Sequence, residues 1–528
     1  MNTRKSWQFA AYNHYRHYIL NLNSHSVVDA IAHFATSTPH KIAIQGSEGA
    51  FSYADLAGAI EQVAIKLNYN SAKVLAIAMD NSPAWAILDL AALKINLPVV
   101  PLPYFFSSEQ ILHALDDASV DVLLTDQPDI FEKIFNESDA KVLRKIEYRL
   151  GGKVVTQFTL HTEKSSVLPA NTAKVTYTSG TTGKPKGVCL DANAITRVVH
   201  SLLQATHASS ADRHLSILPL STLLENIAGL YLPLVAGATT TLLPAAQVGL
   251  TGATGLNVTA MTYALTTSQA TTTVLTPELL TALVSAVETG HPKPPYLRFV
   301  AVGGASVAPQ LLNRALAVSL PVYEGYGLSE CASVVALNTP SSSKLGSVGK
   351  PLSHVSIKFA EDGEILVSGA CLLGYARNVD NAQFIQYWPT GDIGHFDDEG
   401  YLYITARKKN QFITSFGRNV APEWVERELT LSPLIVQAAV FGEARPWNIA
   451  IILPAKNATV IDVNDSLAEI NQTLPDYARV SQWLLAEAPF CPQNNQLTAN
   501  GRLRRDAIWQ AYQDQINKKY MEESYAVL

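Results

Sequence analysis

The stretch richest in chemical possibility is Tyr177-Thr178-Ser179-Gly180-Thr181-Thr182-Gly183-Lys184-Pro185-Lys186-Gly187-Val188. Between its first and last residues lie three glycines, four hydroxyl side chains and two lysines. Glycine lets a backbone bend tightly and brings its N–H groups close to a ligand. Successive N–H groups in such a turn form an anion-binding nest. Hydroxyls and ammonium groups add donors and positive charge, so the composition suits a bound polyphosphate. The stretch is not a Walker A loop, because Gly180 and Gly183 are too close together and Pro185 follows Lys184. A merely flexible polar loop is the plain alternative, but such a loop rarely combines this many constrained positions.

Two further glycine turns follow apolar runs. Leu297 to Val302 reads as a strand and is followed by Gly303-Gly304-Ala305. Val322-Tyr323-Glu324-Gly325-Tyr326-Gly327-Leu328-Ser329-Glu330 has the same form. Either turn alone reads as structural. Together they suit a ligand crevice at the carboxyl ends of parallel strands.

The phosphate-type stretch resembles the signature of the adenylate-forming enzymes, which include acyl-CoA synthetases, luciferase and peptide-synthetase adenylation domains. The resemblance implies that Thr178, Ser179, Gly180, Thr181, Thr182, Gly183, Lys184 and Lys186 hold the β- and γ-phosphates of ATP, with Thr181 taking part in catalysis. The phrase from Glu324 to Glu330 is similar to the family's adenine motif. By that likeness Tyr326 stacks on adenine, Gly304, Ala305 and Glu324 line it with Gly325 and Gly327, and Glu330 is the catalytic Mg²⁺ ligand. Asp392, in Thr390-Gly391-Asp392, matches the residue that bonds the ribose hydroxyls, and Arg407 matches a second nucleotide contact. Lys409 falls at the family's interdomain hinge, and Ser415 to Glu426 resembles the glycine loop that meets the nucleotide and the CoA arm.

Two positions depart from the pattern. Thr222 stands where fatty acyl-CoA synthetases carry a histidine, while Glu225 is kept. In Thr498-Ala499-Asn500-Gly501-Arg502-Leu503-Arg504-Arg505, Arg502 takes the place of the lysine that enters the site for adenylation. Arginine keeps the charge on a planar, bulkier head.

Elements that would position these residues alternate between strand and helix. Val74 to Met79, Val99 to Leu102 and Asp121 to Thr125 are short apolar runs typical of buried parallel strands, with a helix over Trp85 to Lys94. Asn193 to His200 opens another helix after the phosphate-type stretch. Such βα alternation predicts an α/β fold with doubly wound sheets. Gly363 to Gly369 and Tyr401 to Ile404 predict a small β subdomain. The expected organisation is a large N-terminal domain over residues 1–408 and a small, mobile α+β C-terminal domain over 409–528.

At 528 residues, 48% hydrophobic and 16% charged, the chain suits a multidomain globular enzyme. Its net charge of −6 argues against general nucleic-acid binding. The cysteines, Cys189, Cys331, Cys371 and Cys491, are scattered and show no metal-ligand spacing, which favours a reducing, cytoplasmic setting without disulfides. The aromatics Trp7, Phe9, Tyr12, Tyr15 and Tyr18 could pack an N-terminal helix onto the body. No charged residue occurs between Glu225 and Glu278, but Pro233, Gly237 and Pro244 break that run, so buried elements are expected rather than a membrane span. Peripheral membrane contact is left open.

The resemblance implies ATP- and Mg²⁺-dependent conversion of a carboxylic acid, of medium or long chain, to an acyl-adenylate, followed by transfer to CoA. The long-chain synthetases are the nearest branch by the Glu324–Glu330 phrase and by Asn419-Val420-Ala421-Pro422. A ligase that loads an acyl carrier protein and a catalytically weak adenylate-binding paralogue are the alternatives.

Overall fold

A computed structural model describes residues 26–69, 72–162, 168–178, 185–251, 255–305, 307–377, 385–497 and 502–524. The N-terminal aromatics from Trp7 to Tyr18 lie outside them. So do Ser179, Gly180, Thr181, Thr182, Gly183 and Lys184, and the stretch 498–501.

Two large sheets form the body. The core of one is Thr172–Thr178, Val99–Pro101, Leu75–Ala78 and Val122–Thr125, paired in parallel in that order. The second has six parallel neighbours: Val322–Tyr326, Phe299–Val302, Thr272–Leu275, Arg213–Ser216, Thr239–Leu242 and Ile42–Gly46. Most of their apolar side chains are buried, as parallel strands covered on both faces require, while Ile42 in the strand Ile42–Gly46 is exposed.

The helix Pro83–Lys94 lies in the central core, and every residue from Pro83 to Ala92 is buried. Ser82 caps it by accepting from the Trp85 N–H, and Pro83 opens the first turn where its missing N–H costs nothing. A helix apolar all round belongs inside. Its one buried charge, Asp89, is neutralised by Lys174 at 2.7 Å, and Asn226 and Tyr231 complete the cluster. Both charged side chains are essentially without solvent, at 0% and 2% exposure. Burial pulls the Lys174 ammonium down from its ordinary range, and Asp89 opposes that pull.

The expected β subdomain is a four-stranded antiparallel sheet of Ser356–Phe359, Glu364–Ser368, Trp388–Phe396 and Leu402–Arg407. Beyond it, Ile435–Phe441, Asn448–Pro454 and Val480–Leu485 form a three-stranded sheet. The helices Pro422–Leu429 and Val460–Thr473 share one apolar cluster with this sheet, and Arg505–Ser524 shares another. This mixed α/β architecture, a large sheet body with a smaller C-terminal lobe, is the one the sequence predicts.

The route out of the phosphate-type stretch differs from the sequence reading. That stretch does not lead directly to a helix. Lys186–Asp191 is a strand antiparallel to Thr172–Thr178, with Thr178 opposite Lys186, so two paired strands flank the stretch. The helix Ala192–Thr206 begins only after it, capped by Asp191. Cys331 and Cys371, distant in sequence, come to 3.7 Å between sulfurs, and all four cysteines are free. Among the described residues no helix is long and apolar enough to cross a membrane.

Candidate active site

The carboxyl ends of the second sheet open into one crevice of about 2670 Å³, bounded on its far side by the four-stranded sheet and the C-terminal lobe. Glu324, Gly325, Tyr326, Gly327, Glu330, Gly304, Ala305, Asp392, Arg407, Lys409, Arg502 and Lys186 all line it. Thr178 is the last residue of its strand.

Phe299–Val302 delivers Gly303 and Gly304 to the crevice. Gly304 has φ +86°, a conformation that favours glycine, and a Cβ there would meet no atom within 4 Å. Its backbone therefore faces open space. The other glycines have a different reason: a Cβ on Gly327 would sit 1.5 Å from the Ser333 carbonyl oxygen, and one on Gly325 would crowd Leu337.

Val322–Tyr326 points Glu324 inward, where the Val307 N–H reaches Oε1 at 3.4 Å. Burial pushes its carboxyl up to about 8. Tyr326 donates its hydroxyl to Asp392 Oδ2 at 2.7 Å. Arg407 stands directly opposite Asp392 in the antiparallel register and donates to Oδ1 at 2.6 Å. Asp392 is thus fixed from two sides by a strand neighbour and a phenol. Glu330 follows the same strand in a short 3₁₀ turn, with the Tyr375 hydroxyl 3.3 Å from Oε1. The Lys186 ammonium lies over the Tyr375 ring, 5.4 Å from its centroid.

Arg502 reaches in from the C-terminal lobe. Arg505, three residues on, is locked to Glu426 at 2.7 Å, and the Arg504 N–H bonds the Gln496 carbonyl. These contacts hold the segment so that Arg502 NH2 donates to the Gly304 carbonyl at 3.0 Å. Its guanidinium is crowded by protein yet touches the water of the crevice. Burial and then Arg407 hold its pKa below the usual guanidinium range, against Asp392 and Glu330. It remains a cation. Burial and Arg407 likewise lower the Lys409 ammonium, with Arg502 and Lys186 adding to the repulsion. Four cations, Lys186, Arg407, Lys409 and Arg502, thus share the crevice with the carboxylates Asp392 and Glu330. Lys409 feels the repulsion of the other three, and a local gathering of cations of this kind suits a polyanion.

Sequence reasoning did not find His214. It comes from Arg213–Ser216 and its Nε2 lies 3.0 Å from Glu225 Oε1, while Nδ1 meets Thr272 Oγ1 at 2.9 Å. Thr222 is not a histidine here, and His214 reaches Glu225 from a separate element, the strand Arg213–Ser216. Only strand periodicity, turning His214 to the same face as Ser216, could have hinted at it. Gly229 packs on this pair: a Cβ there would lie 2.1 Å from Glu225 Oε1. The Ser415–Glu426 phrase forms the hairpin Phe412–Ile413/Asn419–Val420, with Gly417 in its turn, and then the helix Pro422–Leu429. Its turn does not line the crevice; the side that does begins at Ala421.

Fold and crevice together define an α/β enzyme of the adenylate-forming class. The chain belongs to the AMP-binding enzyme family, whose profile matches residues 31–375, while residues 409–524 match the AMP-binding enzyme C-terminal domain. It is 26% identical over 523 residues to the long-chain-fatty-acid–CoA ligase FadD15 of Mycobacterium bovis, covering 83% of this chain and 86% of that protein. It is 27% identical over 522 residues to the indoleacetate–CoA ligase of Aromatoleum aromaticum, covering 92% and 97%. Among solved structures, the anthranilate CoA ligase AuaEII in complex with anthranoyl-AMP superposes with a TM-score of 0.77 over 92% of this chain and 97% of that one, at 16% identity.

Proposed function

We propose that the protein joins an apolar carboxylic acid to CoA in two steps, forming an acyl-adenylate from ATP and then a thioester. The observation that carries this reading is Arg502 from the C-terminal lobe meeting Gly304 beside the fixed Tyr326–Asp392–Arg407 set. A carboxylate and ATP repel each other, so catalysis of their union rests on positioning and on stabilising the charge built at the α-phosphate. In this reading Asp392 accepts the ribose hydroxyls, and Tyr326 and Glu324 flank the base with the backbone of Gly304 and Ala305. Arg407 and Arg502 face the phosphates, and the stretch from Thr178 through Thr181 to Lys186 grips the β- and γ-phosphates. CoA is preferred to a carrier protein because the named relatives are CoA ligases.

Mg²⁺ fits the donors present. Glu330 offers an oxygen to the crevice and is braced by Tyr375. Among the described residues no group of three or more His, Cys, Asp or Glu could hold an ion. A single carboxylate suits Mg²⁺, which takes its other ligands from phosphates and water. Held by Glu330, the ion would neutralise phosphate charge.

The acid is read as a medium- to long-chain fatty acid, supported by the apolar walls below the crevice and by the FadD15 relative. A fatty substrate and ATP would meet in a cytoplasmic setting. The test is AMP and pyrophosphate release with a panel of straight-chain and arylacetic acids, followed by thioester formation with CoA. Turnover of fatty acids at higher kcat/KM than acetate, by orders of magnitude, is expected, since each buried methylene contributes about 0.8 kcal/mol. Equal efficiency on acetate would reject the fatty assignment, and better turnover of arylacetates would make it an aryl ligase. The division at Lys409 is part of the same reading. Lys409→Pro, which fixes φ near about −65°, should impair one half-reaction far more than the other.

A further inference from the structure

The crevice does not end at the nucleotide. A branch runs beneath it between the second sheet and the helix Ala192–Thr206, walled by Leu202, Leu232, Val274, Phe299 and Ala301. Val274 and Ala301 are neighbours in register, as are Thr272 and Phe299, so the wall follows the strands from their carboxyl to their amino ends. At the amino ends its character changes. The lining becomes Thr206, Asp212, His214, Thr272 and Arg298.

These polar groups are engaged with protein. His214 is held by Thr272 and Glu225. Asp212 receives Arg298 Nε and NH2, each at 2.6 Å, and Arg298 NH1 also donates to the Thr206 carbonyl at 3.2 Å. Arg298 precedes its strand, and its side chain folds across the end of the sheet to the end of the helix. Asp212 is further fixed by the Ser209 N–H at 2.8 Å and the Thr271 hydroxyl at 2.9 Å. The pair sits where the branch meets the surface, with Asp212 7% and Arg298 35% exposed.

We infer that the Asp212–Arg298 pair is the stopper of the acyl branch and sets the longest acid the enzyme accepts. The inference rests on the carboxylate-ligase reading above. Strand geometry supplies the ruler. Gly303, beside the adenylate position, and Arg298 are five residues apart, which is about 16 Å at about 3.3 Å per residue. An extended hydrocarbon of about 1.5 Å bonds advances about 1.3 Å per carbon. The branch therefore holds about twelve carbons before the chain meets the guanidinium. A longer chain must break a doubly bonded ion pair or fold back on itself.

The test is a series of even, saturated acids from four to eighteen carbons, measured by pyrophosphate release and, independently of turnover, by calorimetric binding. The parent should fall off steeply beyond about twelve carbons. Arg298→Ala removes the stopper while Asp212 keeps the Ser209 and Thr271 bonds. Its cut-off should move up by at least two carbons, with tenfold or more gain for sixteen carbons relative to ten. Arg298→Met keeps much of the bulk without the ion pair, so its cut-off should also move up, and a Met variant that keeps the parent cut-off overturns the role of the pair. A parent with no cut-off, or an Arg298→Ala variant that remains folded with the parent's cut-off in both measurements, overturns the inference. A parent that binds the acids with the expected cut-off but releases no pyrophosphate counts against the ligase reading alone.

Discussion

The chain holds two clusters of charge that differ in kind. In the core, Asp89 and Lys174 face each other without water, and Asn226 and Tyr231 take up the remaining donors and acceptors. The cluster is balanced, with one charge of each sign. In the crevice, Lys409 is repelled by Lys186, Arg407 and Arg502, with Asp392 and Glu330 among them, and the set lines an open space. A closed, neutral set ties elements together, since Lys174 belongs to one sheet, Asp89 to the central helix and Asn226 to the segment after Glu225. An open set whose cations repel one another favours an anion among them. The same residue types therefore do different work according to solvent and charge balance.

The largest effect should come from breaking the core set. Lys174→Ala leaves Asp89 buried and unpaired by charge, and removing one partner of such a pair costs about 3–5 kcal/mol. Denaturant unfolding should show that loss, with the activity of the folded fraction unchanged. Arg502→Ala should do the reverse. The midpoint of unfolding should hold while adenylation falls about 10²–10³-fold, the usual cost of removing a group that stabilises transition-state charge. Thioester formation from a supplied acyl-adenylate should stay near normal. Adenylation equal to the parent would make Arg502 a bystander.

Glu324 gives a sharper comparison, because it is buried as Asp89 is but has no cation bonded to it in the described structure. Its carboxyl rises from 4.5 to about 8 through burial. The folded state therefore keeps a proton that the unfolded chain releases. The resulting stability is complete below about pH 4.5 and is lost as the pH rises through about 8. Glu324→Gln should flatten that decline, a change on the order of 2 kcal/mol, less than the full separation because water relaxes around a buried ion. Thermal unfolding of both proteins from pH 5 to 8 checks it, and parallel curves would show that Glu324 is already ionised. The smallest effect is expected from Arg502→Lys. The charge is kept, so adenylation should stay within about tenfold of the parent.

Most of the crevice was legible because its residues follow runs that can only be buried strands. Val300 and Val302 announce the Gly303–Gly304 turn, and Val322 announces Glu324 and Tyr326. Asp392 and Arg407 were legible only through resemblance, since their pairing depends on a register that sequence does not display. The strand Lys186–Asp191 was hidden by its brevity, with three apolar residues flanked by Gly187 and Asp191. Val142–Leu150 and Lys153–Leu160 were hidden differently. The first is an outer strand carrying Arg144, Lys145, Glu147 and Arg149, charges that suit an edge but mask alternation. The Gly151-Gly152 turn between them, with φ +54° and +85°, was the readable signal. His214 and Glu225, like Cys331 and Cys371, meet through packing of separate elements, which no local pattern encodes.

The contact from Arg502 ends on a main-chain oxygen, that of Gly304. Every amino acid at position 304 would carry the same carbonyl, so a substitution there can disturb this contact only by moving the backbone, whereas one at Arg502 removes the donor. Substitutions at Gly304 act through backbone geometry and through the space they take from the crevice, not by deleting the acceptor. A genetic screen for variants that lose the contact should therefore return changes at Arg502 and at its anchors, Arg505 and Glu426. Restoring changes should map to those same positions, because a carbonyl shared by all residues leaves no second partner to mutate.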